Sequence, residues 1–407
     1  MRILIYGINY SPELTGIGKY TGEMARWLNN NGHEIRVVCA PPYYPMWRVD
    51  NTIGNRYSES SEDGVKVYRA PLWVPAQPRA VTRILHLLSF AVTSVLPLIR
   101  QLRWKPDLIW CVEPTLACAP ATLLLAKISG SKTWLHVQDF EVDAAFGITL
   151  KAPSTIKRIA FLAERQILRK FDVVSTISSK MVELANKKRN IGGGTILFRN
   201  WVDCSFINRQ ASSDYRRELN LLHTDTVVLY SGNMGGKQGL EILPQVAERL
   251  KNHSTIKFVF CGNGAMRDEL AEQCEGLENV QMMDLQPFEK LNELLNLADI
   301  HLLPQRSDAA DLVLPSKLTG MLASGRPVIA TAHKETELGQ IFMDAQCGVI
   351  VEPESSEALA SAILKLAEDE KYRELLGKNA RQYAIKKLDK ESILQFFNEH
   401  IISVSQS

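Results

Sequence analysis

Asp311-Leu-Val-Leu-Pro-Ser-Lys-Leu-Thr-Gly-Met-Leu-Ala-Ser-Gly-Arg-Pro327 is the stretch that decides the fold of this 407-residue chain. An apolar run, Asp299-Ile-His-Leu-Leu-Pro304, leads through a polar loop at 305–310, and Pro315 then stands where a helix should begin. A proline ring presets φ for a first helical turn, where its missing N–H would have no partner anyway. Gly325 closes the short helix, and Pro327-Val-Ile-Ala-Thr331 starts a new strand at once. Strand, loop, helix, strand is the unit of a parallel sheet. A helix start at the carboxyl end of a strand offers unpaired N–H groups and a positive dipole end, which suit an anion. Pro315, Ser316, Lys317 and Leu318 occupy that start, so a diphosphate is expected to land there.

The same alternation extends in both directions. Upstream, Thr226-Val-Val-Leu-Tyr-Ser-Gly232 runs into Asn233-Met-Gly-Gly-Lys-Gln-Gly239 and a helix from Leu240. Glycine N–H groups, a helix dipole and the charge of Lys237 make this a phosphate-binding arrangement, with a plain glycine turn as the alternative. It lacks the G-x-x-x-x-G-K-[ST] spacing of an NTP-hydrolysing loop. Lys257-Phe-Val-Phe-Cys-Gly-Asn-Gly264 repeats the pattern with Gly262 and Gly264, and Val280 to Leu285 exits through Gln286-Pro-Phe-Glu289. Gln286, Pro287 and Phe288 are expected to form a rest for a nucleotide base. Gly348-Val-Ile-Val-Glu-Pro353 completes the set, and 355–406 reads as helical.

In the first half the expected strands are Arg2–Gly7, Glu34–Ala40, Lys66–Ala70, Leu108–Pro114, Thr133–Asp139, Val173–Ser178 and Thr195–Asn200. Ligands of such sheets collect at the carboxyl ends of the strands. Gly16 and Gly18 follow the first strand and precede a helix from Tyr20 to Asn30, either approaching a ligand or making an ordinary tight turn. Thr133-Trp-Leu-His-Val-Gln-Asp139 puts His136 and Gln138 on one strand face with Asp139 at the tip. His136 is therefore either aimed at a sugar or a core histidine. Arg83 to Trp104 is strongly apolar, broken by His86, Ser94 and Pro97, with Arg79, Arg83, Arg100, Arg103 and Lys105 at its ends. It is either a core helix or an amphipathic segment lying on an anionic membrane surface.

A formal charge of +2 gives no reason to expect nucleic acid, and the length suits two ordinary domains. Seven scattered cysteines, none in C-x-x-C spacing, point to reduced buried thiols. With a strand starting at Arg2, a cytoplasmic enzyme is expected, peripheral to the inner membrane face if the apolar segment docks there.

Taken together, Gly16/Gly18, Asn200-Trp-Val-Asp203, Ser231-Gly-Asn-Met-Gly-Gly-Lys-Gln-Gly239, Cys261-Gly-Asn-Gly264, Leu314-Pro-Ser-Lys317 and Ala323-Ser-Gly-Arg-Pro-Val-Ile329 resemble the retaining glycosyltransferases of family 4. Residues 6–22 and Ala40-Pro-Pro-Tyr-Tyr-Pro45 are similar to the colanic-acid (exopolysaccharide) subgroup. The resemblance implies an α/β GT-B fold: two Rossmann-like parallel-sheet domains facing a central cleft. Residues 1–205 would bind the acceptor, 206–385 the nucleotide sugar, and 386–407 would brace back on the first domain. It places Gly16 and Gly18 by the donor diphosphate and acceptor, His136 near the donor sugar, Lys237 on the diphosphate and 286–289 at the base. Gly232, Asn233, Gly262 and Gly264 would line the donor, and Lys19 and Asp139 the acceptor. It implies a nucleotide-diphosphate sugar co-substrate, with GDP-fucose suggested by the subgroup, a lipid-linked saccharide acceptor, and no metal.

Two positions depart from the family. Asn233 stands where an arginine commonly partners the lysine, and of the two glutamates eight apart, the second falls at Gly320 and the first at Leu312, beside Asp311. Asp311 is expected to take over the sugar contact, and Lys317 or Arg306 the missing positive charge. The alternatives are a GT-B nucleotide-sugar epimerase, a nucleotide-sugar-binding protein without activity, and a dinucleotide oxidoreductase. The last lacks G-x-G-x-x-G after the first strand.

Overall fold

Runs rich in Ile, Val, Leu and aromatic residues form two separate sheets in the computed structural model. It describes residues 1–13, 16–77, 79–146, 153–210, 213–236, 238–307 and 315–406. The chain divides into one unit of Met1–Arg199 with Leu394–Ser407, and a second of Asn200–Ile393.

The first unit holds β1 (Arg2–Tyr6), β2 (Glu34–Cys39), β3 (Ser58–Glu62), β4 (Val65–Arg69), β5 (Leu108–Glu113), β6 (Lys132–Val137), β7 (Val173–Thr176) and β8 (Thr195–Leu197). Their order is β3-β4-β2-β1-β5-β6-β7-β8. All neighbours are parallel except β3 and β4. Its helices are α1 (Gly16–Asn30), α2 (Ala80–Thr93), α3 (Val95–Gln101), α4 (Ala119–Ser129), α5 (Glu141–Ala144), α6 (Ser154–Lys170) and α7 (Ser179–Arg189). Central strands such as β5 are buried along their whole length, as helices on both sheet faces require. Phe90 of α2, Leu98 of α3, Leu125 of α4, Leu168 of α6 and Met181 of α7 share one buried cluster with Leu4 and Tyr6 of β1. Elsewhere in the unit Phe397, from the last helix, packs 4.5 Å from the Trp110 ring and 5.1 Å from Trp134.

β3 escapes sequence patterning because Ser-Glu-Ser-Ser-Glu is a polar edge strand. It is joined to β4 by Asp63-Gly64, both at positive φ (50° and 83°), the backbone a tight hairpin demands. The apolar segment at 83–104 is two helices rather than one. They part at Ser94, whose Oγ meets the Tyr6 hydroxyl at 2.7 Å, and Pro97 sits in the first turn of α3. Phe90, Leu98 and Trp104 face the core, while Val92 is 72% exposed, so the segment is core on one side and apolar surface on the other.

The second unit holds β9 (Thr226–Ser231), β10 (Ile256–Cys261), β11 (Val280–Met283), β12 (Ile300–Leu303), β13 (Val328–Thr331) and β14 (Gly348–Val351). They are ordered β11-β10-β9-β12-β13-β14, all parallel. Around them lie α8 (Asp214–Glu218), α9 (Ile242–Arg249), α10 (Arg267–Gln273), α11 (Leu291–Leu297), α12 (Lys317–Ala323), α13 (Glu337–Ala345), α14 (Ser356–Glu368) and α15 (Glu370–Lys387). α16 (Lys390–Gln406) starts in this unit and from Leu394 belongs to the first. The division falls at Asn200 because Val202 bonds to both sides of Asp389: its N–H donates to the Leu388 carbonyl, and its own carbonyl accepts from Lys390 N–H. The helical stretch at 355–406 breaks at Asp369, whose carboxylate caps α15 by accepting from Tyr372 N–H at 2.9 Å.

Candidate active site

In the second unit β9 and β10 lie side by side and end in glycine turns pressed backbone to backbone. Gly232 N–H donates to the Cys261 carbonyl at 3.0 Å, and Met234 N–H to the Asn263 carbonyl at 2.9 Å. A Cβ on Gly262 (φ +153°) would stand 1.9 Å from the Gly232 oxygen, and one on Gly264 (φ +150°) 2.4 Å from the Met234 oxygen. No side chain fits either position, so the glycines here are demanded by the close approach of the turns. The Tyr230 hydroxyl, at the end of β9, donates to the Asn233 carbonyl at 2.6 Å and fixes the first turn.

Lys317, the first residue of α12, reaches back to this double turn. Its Nζ lies 4.2 Å from the centre of the Tyr230 ring, and a Cβ on Gly232 would be 4.0 Å from it. The Nζ is buried, with no hydrogen-bond partner among the described residues. Burial pulls its pKa down to about 7, with no carboxylate among the described residues holding it up. A buried donor left unpaired is costly, so a site built this way favours an arriving anion. Arg306, the other expected source of charge, pairs with Glu241 at 3.0 Å. Lys237 and Asp311, both expected at the chemistry, lie outside the described residues.

The remaining donor-side positions divide. Leu318 is 1% exposed and belongs to the core, so it is not a donor contact: the residue after Lys317 turns inward on α12. Pro315 precedes the helix, its carbonyl accepting from Leu318 N–H at 3.0 Å, and Ser316 is exposed beside it. Gln286 is engaged by its neighbours, accepting from the Tyr215 hydroxyl at 2.8 Å and donating to the Asp284 carbonyl at 2.8 Å. Pro287 is exposed, and Phe288 stacks on Phe206 with ring centres 5.1 Å apart. Gly320, where the family carries a glutamate, is the point at which α12 meets α11: a Cβ there would be 3.3 Å from Leu295 Cδ1.

In the first unit the structure corrects one expectation. His136 is a core histidine. Gln138 Nε2 donates to its Nε2 at 3.0 Å, which leaves Nδ1 to donate to Ser175 Oγ at 2.9 Å, and the ring stacks 5.1 Å from Trp110. Burial drives its pKa down to about 3, so it is neutral and enclosed in the core. Gly18 is a glycine because a Cβ there would meet Glu13 Oε2 at 2.6 Å, so close packing against a neighbouring side chain already requires it. Glu13 is held by Asn9 and by the N–H groups of Tyr43 and Tyr44. Gly16 opens α1 at φ +63°, next to Tyr44, and Lys19 pairs with Glu23.

Asp139 stays half-buried at the tip of β6, beside an acidic cluster that strand patterning did not reveal. Burial raises the Glu113 carboxyl well above its ordinary range, with repulsion from Glu141, Glu164 and Asp139 adding to it, and pushes Glu141 up to about 7. Lys188 joins Asp143 and Glu164. The one sequence signal was a carboxylate closing each of two apolar strands, Glu113 and Asp139. Among the described residues no group of three or more His, Cys, Asp or Glu side chains could hold a metal ion.

Two Rossmann-like parallel-sheet units, the second ending two neighbouring strands in paired glycine turns, define a GT-B architecture. The family model for glycosyl transferases group 1 matches residues 212–383, and that for the glycosyl transferase 4-like domain matches 15–193. The chain belongs to this glycosyltransferase family. It is 46% identical over 408 aligned positions to WcaI of Escherichia coli (strain K12), a glycosyl transferase assigned to colanic acid biosynthesis, covering 98% of this chain and 99% of that one. Among solved structures it shares its fold with sucrose-phosphate synthase from Thermosynechococcus elongatus (TM-score 0.77, 17% identity, 99% and 98% covered). It also shares it with Anabaena HepE in complex with UDP (TM-score 0.71, 18% identity, 99% and 100% covered).

Proposed function

We propose that this glycosyltransferase moves a sugar, with retention, from a nucleoside-diphosphate donor to a lipid-linked saccharide in the making of an exopolysaccharide of the colanic-acid kind. The observation that carries it is the ammonium of Lys317, buried against the glycine turn that ends β9 and without a hydrogen-bond partner among the described residues. As the bond from C1 to the phosphate oxygen breaks, negative charge builds on the leaving diphosphate and the sugar ring turns positive. Preorganised N–H groups and a cation stabilise the first of these without reorganising. The acceptor hydroxyl attacks C1 from the side the phosphate leaves, and its proton passes to the departing phosphate oxygen. Lys237 is proposed to share the diphosphate with Lys317, Asp311 to contact the sugar, and Asp139 with Lys19 to serve the acceptor. The likeness to WcaI supports the pathway, and GDP-fucose is the donor proposed for it.

A thermal-shift screen of UDP-, GDP- and TDP-sugars identifies the donor, since a ligand at about 100 times its Kd adds about 2.7 kcal/mol. The stabilising donor is then expected to give a new glycolipid with a lipid-linked saccharide; an altered sugar formed without acceptor would make the chain an epimerase instead. Transfer is proposed to need no metal, so turnover should be unchanged in EDTA, and loss restored by Mg2+ would count against that. The wider setting is the cytoplasmic face of the inner membrane, contacted through the segment from Arg79 to Lys105.

A further inference from the structure

The first unit presents an apolar surface that its own core does not use. α2, α3, α4 and α6 cover the same cluster on the sheet through Phe90, Leu98, Leu125 and Leu168, with α3 against α4 and α4 against α6. The same helices leave large apolar side chains in the open: Leu88 and Val92 on α2, Ile99 on α3, Leu124 and Ile128 on α4, Ile159 on α6. Val92, Leu124, Ile128 and Ile159 are 72%, 61%, 61% and 66% exposed, more than a scattered surface residue needs. Leu88 and Val92, like Leu124 and Ile128, lie four apart, so each pair makes one stripe of its helix.

The charge on this layer is one-sided. α2, α3, α4 and α6 carry eight lysines and arginines against a single glutamate. That glutamate, Glu164, is buried on Lys188. A second copy of the face would set like charges against each other, whereas anionic headgroups match the bases while the apolar stripes enter the acyl boundary. The stretch Val81–Gln101 is long and apolar enough to cross a bilayer by composition. Its inner side is nevertheless committed to the sheet through Phe90, Leu98 and the Ser94–Tyr6 hydrogen bond, so it can only lie along the surface.

We propose that α2, α3, α4 and α6 together form one docking face that seats this unit on an anionic phospholipid bilayer. This rests on the reading of a lipid-borne acceptor and widens its membrane contact from α2 and α3 to helices remote in sequence. Co-sedimentation of the full chain with phosphatidylglycerol-containing vesicles tests it, with phosphatidylcholine vesicles as the contrast. The wild type is expected to bind the anionic vesicles and to be released by high salt. Leu124→Glu on α4 and Ile159→Glu on α6 should each weaken the partition about tenfold or more, the loss of one inserted apolar side chain. Both positions are exposed, so unfolding temperature and transfer to a soluble acceptor fragment should not change. Wild-type binding by Leu124→Glu and Ile159→Glu, alongside release by Leu88→Glu, would overturn the wider face and leave the narrower one. A wild type that ignores vesicles but forms a dimer which Ile159→Glu dissociates would overturn it in favour of a second copy. Failure of the donor screen with vesicle binding intact would fault the transferase reading alone.

Discussion

Lys317→Met is expected to lower kcat/KM by about a hundredfold or more, the usual effect of removing one preorganised donor from a developing negative charge. The variant should also be more stable than the wild type at neutral pH, and that combination separates a binding role from a structural one. Native Lys317 has a pKa of about 7 against an ordinary 10.5 because burial strips its water and no carboxylate among the described residues replaces it. Between those values the unfolded chain holds a proton that the native chain lacks, so the lysine's contribution to stability rises with pH across that window and is unfavourable below it. Methionine fills similar space without that penalty. A lysine serving only the fold would show the opposite, with stability lost and turnover kept.

The same group makes donor capture proton-linked. An arriving diphosphate raises the pKa of Lys317 again, so binding above about pH 7 takes up a proton and affinity should fall as pH rises further. The limit is about tenfold per pH unit for one proton. Calorimetry of UDP or GDP binding in buffers of different ionisation heat reads the uptake directly, and Lys317→Met should abolish it. Equal uptake by wild type and variant would remove Lys317 from the diphosphate. Tyr230 is the titratable group in contact with the ammonium among the described residues, and burial holds its hydroxyl above its ordinary range, so it stays neutral throughout.

Much of this was legible in the sequence wherever the chain itself, rather than a distant neighbour, sets the constraint. Strand-then-glycine at Ser231-Gly232 and Cys261-Gly262 announced the turns, because local backbone geometry forces the residue type. What sequence does not carry is which glycine answers to a ligand and which to another part of the protein: Gly18 yields to Glu13, and Gly320 yields to Leu295 across two helices. His136 and Lys317 show the same limit with opposite outcomes. Both are polar residues among apolar ones; the histidine finds Ser175 on β7 and Gln138 two residues further on, while the lysine, among the described residues, finds the Tyr230 ring. The acidic cluster around Glu113 stayed hidden because its members come from β5, β6, α5 and α6, and no spacing along the chain links them. β3 escapes for the reverse reason: Asp63-Gly64 is a sufficient hairpin signal, but the flanking run is too polar to read as a strand.

Gly262→Ala should damage the cradle and the second unit together. The new Cβ would be placed 1.9 Å from the Gly232 oxygen, which no rotation of a methyl group relieves, so the turns after β9 and β10 must part. Overpacking of this kind costs about 1–3 kcal/mol. A non-glycine residue held at φ +153° adds a further strain of about 1–3 kcal/mol. At about 2–4 °C per kcal/mol for a unit of this size, a total of about 2–6 kcal/mol should lower the unfolding temperature by roughly 4–24 °C. Donor binding should suffer more than about tenfold even well below that temperature, because parting the turns moves Gly232 away from Lys317. Gly192→Ala is the control: a Cβ there meets nothing within 4 Å and the residue lies outside the glycine turns, so both stability and donor affinity should stay near wild type. If Gly262→Ala lost stability yet held UDP or GDP as tightly as the wild type, the paired turns would be scaffold only, and the diphosphate would have to rest elsewhere in the unit.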